Sequence, residues 1–212
     1  MFSTFKSHFE FYSQIANKLF DIKEIPFKYS ELLLDIGGYS FNKGLYTIHT
    51  FESSLKWADI LSTYFPGYKN EILPFAFDWC GRQFCVARKG YEGIYVFDPV
   101  DLQDLFSEEN LLDFHNITLV DDSDILNNNY FQEALEVLNL DGLNSNQCVG
   151  YKLPLFLNGK ADSSNYEIID IEVYWETQHQ IFNQIKDLPE GTRISNVAIV
   201  PQFKYDTKNK LE

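Results

Sequence analysis

Basic residues are missing where this chain carries most of its acid. From Gly90 to Tyr151 there is no lysine or arginine, and from Ala161 to Ile185 there is again none. The first interval holds Glu92, Asp98, Asp101, Asp104, Glu108, Glu109, Asp113, Asp121, Asp122, Asp124, Glu133, Glu136 and Asp141, and the second adds Asp162, Glu167, Asp170, Glu172 and Glu176. The net charge of −14 over 212 residues is therefore concentrated rather than spread. A field of one sign repels nucleic acid and anionic membrane and draws basic partners. Neither nucleic acid nor membrane is expected as a partner.

Other absences narrow the reading further. No apolar run approaches the roughly 18 residues that a membrane-spanning helix needs. Met1-Phe-Ser-Thr-Phe-Lys-Ser-His-Phe-Glu10 lacks the basic head and apolar block of a secretion signal, so a cytoplasmic location is expected. Cys80, Cys85 and Cys148 cannot all pair and match no metal spacing; they read as buried free thiols of a reducing compartment. His8, His49, His115 and His179 include no i, i+3 or i, i+4 pair. Phosphate-cradling, dinucleotide-binding and nucleophile-elbow motifs are all missing. Asp121-Asp-Ser-Asp124 starts like a calcium loop but lacks the turn glycine and the distal bidentate glutamate. Cys85 and His115 are the residue types of a nucleophile and base, yet nothing orients them, and His115 between Phe114 and Asn116 reads as a structural histidine. A binder rather than an enzyme is expected, with no metal and no cofactor.

Aromatics are what the chain has in plenty: 17% of its residues, within a hydrophobic content of 45%. That suffices for a sizeable core. No internal repeat or Pro/Ser-rich linker divides it, so residues 1–212 read as one domain. Leu73-Pro-Phe-Ala-Phe-Asp-Trp79, Phe84 to Val86 and Ile94 to Phe97 are short β-prone runs joined by Cys80-Gly-Arg82 and by Gly90 and Gly93. They predict a three-stranded meander at the centre of the core. Around it the spacing predicts a helix over 2–20 with an aromatic stripe (Phe2, Phe5, Phe9, Tyr12, Ile15, Leu19). A second short helix, Tyr29 to Leu34, has Ser30 as a possible cap and stops at Gly37-Gly38. A strand follows at 45–50, then a helix at 52–65 with Leu55 inward and Trp57 at its edge. Leu102, Leu105 and Phe106 predict a helical turn or two after Pro99. Tyr130 to Leu138 is a helix with Asp and Asn before it. Residues 150–157 are extended, and Tyr166 to Ile169 form a strand. Residues 171–188 have helical spacing, although the alternation of Ile169, Ile171, Val173 and Trp175 also permits a strand. A final strand is predicted at 193–203, and residues 204–212 form a polar tail.

These residues carry a resemblance. Ile25-Pro26, Gly37-Gly38, Gly44-Leu-Tyr46, Leu73-Pro-Phe-Ala-Phe-Asp-Trp79, Gly81-Arg82 with Phe84, and Tyr95-Val-Phe-Asp98 occur in an order similar to that of the SUKH immunity superfamily and of the neighbouring Tdi-type immunity proteins of type VI secretion. The block Cys148-Val-Gly-Tyr-Lys-Leu-Pro-Leu-Phe-Leu157-Asn-Gly159, followed by Asn165 and Asp170-Ile-Glu-Val-Tyr-Trp175, is its most specific part. The resemblance spans roughly residues 25–188. It implies an α+β fold, a twisted, mainly antiparallel sheet with helices packed alongside. It also implies a bacterial protein that binds and neutralises a cognate toxin, often a nuclease, delivered by a neighbouring cell. Such families have no catalytic residue to carry over, and their motif residues are structural: Trp79 and Trp175 fill the core, while Gly81 and Gly159 turn the chain. Nucleases present basic surfaces to phosphate, and an acidic inhibitor covers such a surface and gains association rate from steering. The expected contact surface is Asp98, Asp101, Asp104, Glu108, Glu109, Asp113, Asp121, Asp122 and Asp124. A non-catalytic adaptor in a larger assembly is the alternative.

Overall fold

In the computed structural model, which describes residues 1–18, 26–88, 93–122, 124–189 and 191–200, the predicted meander is the middle of a larger sheet. Its strands are β1 (Phe11–Gln14), β2 (Tyr39–Phe41), β3 (Tyr46–Ile48), β4 (Ile72–Asp78), β5 (Gln83–Ala87), β6 (Ile94–Asp98) and β7 (Gln103–Ser107). Spatial order equals chain order, and every neighbouring pair is antiparallel. A separate ribbon pairs β8 (Gln147–Tyr151) with β9 (Tyr166–Asp170). The helices are α1 (Ser3–His8), α2 (Phe27–Ile36), α3 (Phe51–Tyr64), α4 (Leu111–Asp113), α5 (Leu119–Asp121), α6 (Asn128–Leu138) and α7 (Ile171–Ile185); a π turn, Phe114–Thr118, joins α4 to α5. The expected α+β class and antiparallel sheet are both present.

Both faces of the sheet are covered, and a bulge in β4 decides which residue goes where. The β4–β5 register slips between Pro74 and Ala76. An extra residue in one strand reverses the side-to-side alternation beyond it. Leu73 and Phe75 thus face the same layer as Ala76, and Phe77 turns to the other. On the first face, Leu73, Phe75, Ala76, Tyr46, Phe84 and Ile94 pack beneath α1, α2, residues 111–121 and α6. On the second, Ile72, Phe77, Cys85 and Phe97 meet Trp57, Ile60 and Leu61 of α3 and Ile171, Tyr174 and Trp175 of α7. Removing one such side chain from water stabilises the fold by about 1.5–3 kcal/mol.

Local signals start the longer helices. Thr50 Oγ1 accepts from Ser53 N (3.1 Å) at the head of α3. Asp170 Oδ1 accepts from Glu172 N (3.0 Å) and Val173 N (3.3 Å). That cap ends β9 and begins α7 without a loop, so the helical spacing of residues 171–185 prevails over the alternation that also allowed a strand.

Several expectations are corrected. The N-terminal helix stops at His8, not at residue 20. Phe2, Phe5 and Phe9 are buried as the stripe requires, but Phe11, Tyr12 and Ile15 are exposed and 11–14 pairs with β2 as an edge strand; Leu19 lies outside the described residues. Ser30 is not a cap: α2 begins at Phe27 behind Pro26, and the Ser30 hydroxyl donates to Phe27 O (2.7 Å). In α3, Trp57 is buried against the second face and Leu55 is exposed, the reverse of the expectation. The helical turns expected at Leu102 to Phe106 are the strand β7, because Leu102 takes a positive φ of 49° that starts the return to β6. Asn127 precedes α6 in a left-handed conformation and makes no side-chain cap bond. Extension after Gly150 lasts only to Tyr151, and Leu155–Leu157 is a 3-10 turn. Residues 193–200 join no strand. Their backbone is taken instead by two glutamines one turn apart on α7: Gln184 exchanges two bonds with Ala198 (3.0 and 2.9 Å) and Gln180 two with Val200 (2.8 and 2.7 Å). Residues 201–212, including the expected tail, lie outside the described residues.

Candidate partner-binding surface

The acidic residues at one end of the sheet are placed by the turn between β4 and β5. Asp78 is fully buried, and its Oδ2 accepts from Arg82 Nε (2.6 Å). Its Oδ1 accepts from the backbone N–H of Cys80 (3.2 Å) and Arg82 (3.0 Å). Gly81 supplies the positive φ of 89° that closes the turn. Arg82 Nη2 donates to Ile125 O (2.6 Å) and Trp79 Nε1 to Leu126 O (2.7 Å). Trp175 Nε1 donates to Gly81 O from the opposite layer (2.8 Å). The loop after α5 is thereby pinned to the end of the sheet.

The β-ladder then sorts the acids into two groups. Gln83 opposes Phe97 and Asp98 opposes Gln103, so Asp98 and Asp101 lie at the Asp78–Arg82 end. Ser107 opposes Ile94, so Glu108, Glu109 and Asp113 lie past the other end of β7, roughly 14 Å away for a strand rising about 3.4 Å per residue. Residues 111–121 run back over the first face and return Asp121, Asp122 and Asp124 to the Arg82 end. Asp104 lies between the groups, on β7.

Their availability differs. Asp101, Asp104, Glu108, Asp121, Asp122 and Asp124 are exposed. Asp98 is half-buried, accepts from Val100 N (2.7 Å), and burial raises its carboxyl pKa, so it forms the β6–β7 turn rather than a contact. Glu109 accepts from the Thr118 hydroxyl, and Asp113 accepts from Asn110 Nδ2 (2.6 Å); both are half-buried at the head of α4. Asp104 accepts from the Tyr68 hydroxyl (2.5 Å), and Asp122 from Asp124 N (3.0 Å).

The residues with catalytic side chains are engaged elsewhere. His115 uses Nδ1 on Leu111 O (2.8 Å) and Nε2 on the Tyr46 hydroxyl (3.2 Å), within the rings of Phe2, Phe5 and Phe75. Cys85 points into the opposite layer, so the two do not meet. Burial pushes the thiols of Cys80, Cys85 and Cys148 well above their ordinary pKa, and all three are unpaired. Beside His49 a cleft of about 290 Å³ opens next to Trp57 and the Lys56–Glu172 ion pair. The His49 ring is held there by Gln83 Oε1 (2.9 Å) and Ser53 Oγ (3.0 Å). Among the described residues no group of His, Cys, Asp and Glu is placed to hold a metal ion, and no helix is long and apolar enough to cross a membrane.

Desolvation lowers the pKa of both His49 and His115 to about 4. Unfolded histidine titrates near 6.5, so below that pH the unfolded chain binds more protons than the folded one. The stability these neutral rings allow is whole above pH 6.5 and is lost as pH falls towards 4, at up to about 1.4 kcal/mol per pH unit for each ring. Urea midpoints measured across that window should fall with acid, and His115→Phe should flatten the fall. An unchanged slope in the variant would show that His115 is not the group titrating.

The sequence matches no family model and no curated protein. The structure is similar to the crystal structure of Atu4351 from Agrobacterium tumefaciens, with a TM-score of 0.61 and 16% identity over 85% of this chain and 89% of that one. At that identity the likeness shows a shared fold.

Proposed function

We propose that this chain is a bacterial immunity protein that binds and neutralises a basic toxin, such as a nuclease, through the acidic side of its sheet. One observation carries the reading: Asp101, Asp104, Glu108, Asp121, Asp122 and Asp124 are all exposed, and the interval that supplies them, with β6, β7, residues 111–121 and α6, holds no lysine or arginine. The resemblance to the SUKH and Tdi-type proteins supports it independently. Inhibition follows from occupancy. A carboxylate-rich border placed over a phosphate-binding surface competes with the polyanion, and its field speeds encounter. No residue of this chain need act chemically.

The direct test is co-expression with the protein encoded beside it, read as cell survival and as recovery of a complex. Protection with a stable complex is expected. A complex without protection would favour the adaptor instead. At residue level, the triple variant Asp101→Lys, Asp104→Lys and Glu108→Lys should slow association by at least about tenfold at low salt and flatten its salt dependence. All three positions are exposed, so Asp101→Lys and Glu108→Lys should each move the unfolding free energy by no more than about 0.5 kcal/mol, while Asp104→Lys also gives up the Tyr68 hydroxyl, worth about 0.5–1.5 kcal/mol. An unchanged rate and salt slope in a folded variant would remove this border from the contact.

A further inference from the structure

The acid-lined border is also an open sheet edge. β7 is the last strand of its sheet, and among the described residues nothing pairs with its outer side. All five of its residues are exposed. Its register with β6 runs from Asp98–Gln103 to Ile94–Ser107 without a slip, whereas the opposite edge strand, β1, carries one. Proteins usually guard an edge with charged side chains, proline or a bulge; Gln103-Asp-Leu-Phe-Ser107 has no lysine, proline or bulge, and its one charge, Asp104, attracts a basic segment. Leu105 and Phe106 are 65% and 48% exposed, and as adjacent strand residues they point to opposite faces. Phe106 lies against Tyr95 (4.8 Å) and over Gly93, where a Cβ would meet its ring at 2.2 Å.

We infer that β7 is a docking edge that takes an extended basic segment of the partner as an eighth strand. Main-chain bonds along the free edge supply the ladder, apolar side chains of the segment cover Leu105 on one face, and its lysines or arginines meet Asp104 and Glu108 beside Phe106 on the other. A second copy of this chain fits poorly, since its own β7 would set carboxylates against carboxylates. The inference rests on the reading of a basic partner, but its test needs no toxin.

Three synthetic peptides of about six residues, an ordinary strand length, are titrated into the full chain at low salt: lysine alternating with valine, glutamate alternating with valine, and lysine alternating with proline. Amide hydrogen exchange is followed residue by residue. The lysine–valine peptide should bind at least about tenfold more tightly than either control and protect amides of β7 but not of β1; the proline peptide keeps the charge but lacks half the ladder donors. Equal binding of the proline peptide would reduce the effect to charge alone and overturn the proposal. So would protection centred on any other segment, or no binding by the lysine–valine peptide. Failure to neutralise a toxin alongside lysine–valine protection of β7 counts against the immunity role and leaves the docking edge standing. Neutralisation without that protection does the opposite.

Discussion

Asp78→Ala should destabilise the protein by about 3–5 kcal/mol, because it strips a largely buried guanidinium of its counter-charge. Asp78 is fully buried and the Arg82 side chain is 18% exposed, so little water is available to replace the lost partner. The same substitution frees the backbone N–H groups of Cys80 and Arg82 that Asp78 Oδ1 accepts. Urea denaturation gives the measurement. Asp78→Asn retains an oxygen for those two groups and should lose less than Asp78→Ala; the difference between the variants separates turn geometry from charge. Adding Arg82→Met to Asp78→Ala should recover part of the loss, since no charge is then left stranded. If Asp78→Ala alone cost less than about 1 kcal/mol, the ion pair would not be what fastens this turn.

The second large effect is expected from the other side of the sheet. Trp175 is fully buried between Trp57 (6.1 Å), Tyr64 (stacked at 5.9 Å) and Phe65 (6.4 Å). Truncation to alanine leaves a large cavity and should cost about 3–5 kcal/mol. Trp175→Phe keeps much of the packing but removes the indole N–H from Gly81 O, and an orphaned buried carbonyl costs about 1–3 kcal/mol. The phenylalanine variant should therefore fall between wild type and alanine in its urea midpoint. A phenylalanine variant as stable as wild type would show that the bond to Gly81 is dispensable and that packing alone secures α7.

What could be read from the sequence follows from how strongly each pattern is enforced. Apart from the bulge at Pro74–Ala76, β4, β5 and β6 alternate between two buried faces, and glycines lie in the sequence between them, so the centre of the sheet was legible. β7 was not: Leu102, Leu105 and Phe106 have helical spacing, and a strand exposed on both sides has no buried face to impose a period of two. The N-terminal stripe was correct through Phe9 and then ran on, because Phe11, Tyr12 and Ile15 are apolar without being buried. Acidity was plain from composition, but its division between the two ends of β7 depends on strand register, which no local pattern displays. Cys80-Gly-Arg82 was legible as a turn, but nothing local singles out the pair of Asp78 and Arg82. Its role as the fastening point of Trp79, Ile125 and Trp175 depends on contacts as far as 94 positions along the chain.

Because strand order in the sheet follows chain order, the domain has a built-in sequence of assembly during synthesis. Each new strand finds its neighbour already made, so ladders grow by closing short loops, which costs little entropy. Two returns break this order: residues 111–121 reach back to α1, where the Phe5 N–H donates to Asn116 Oδ1, and α7 must bring Trp175 back to Gly81. Until α7 emerges, the face bearing Ile72, Phe77, Cys85 and Phe97 has only α3 to cover it. At about 5–20 residues per second, the stretch of about 90 residues between Phe97 and Ile185 leaves that apolar face partly open for roughly 5–18 s on every nascent chain. That interval is when aggregation and chaperone capture would compete with folding.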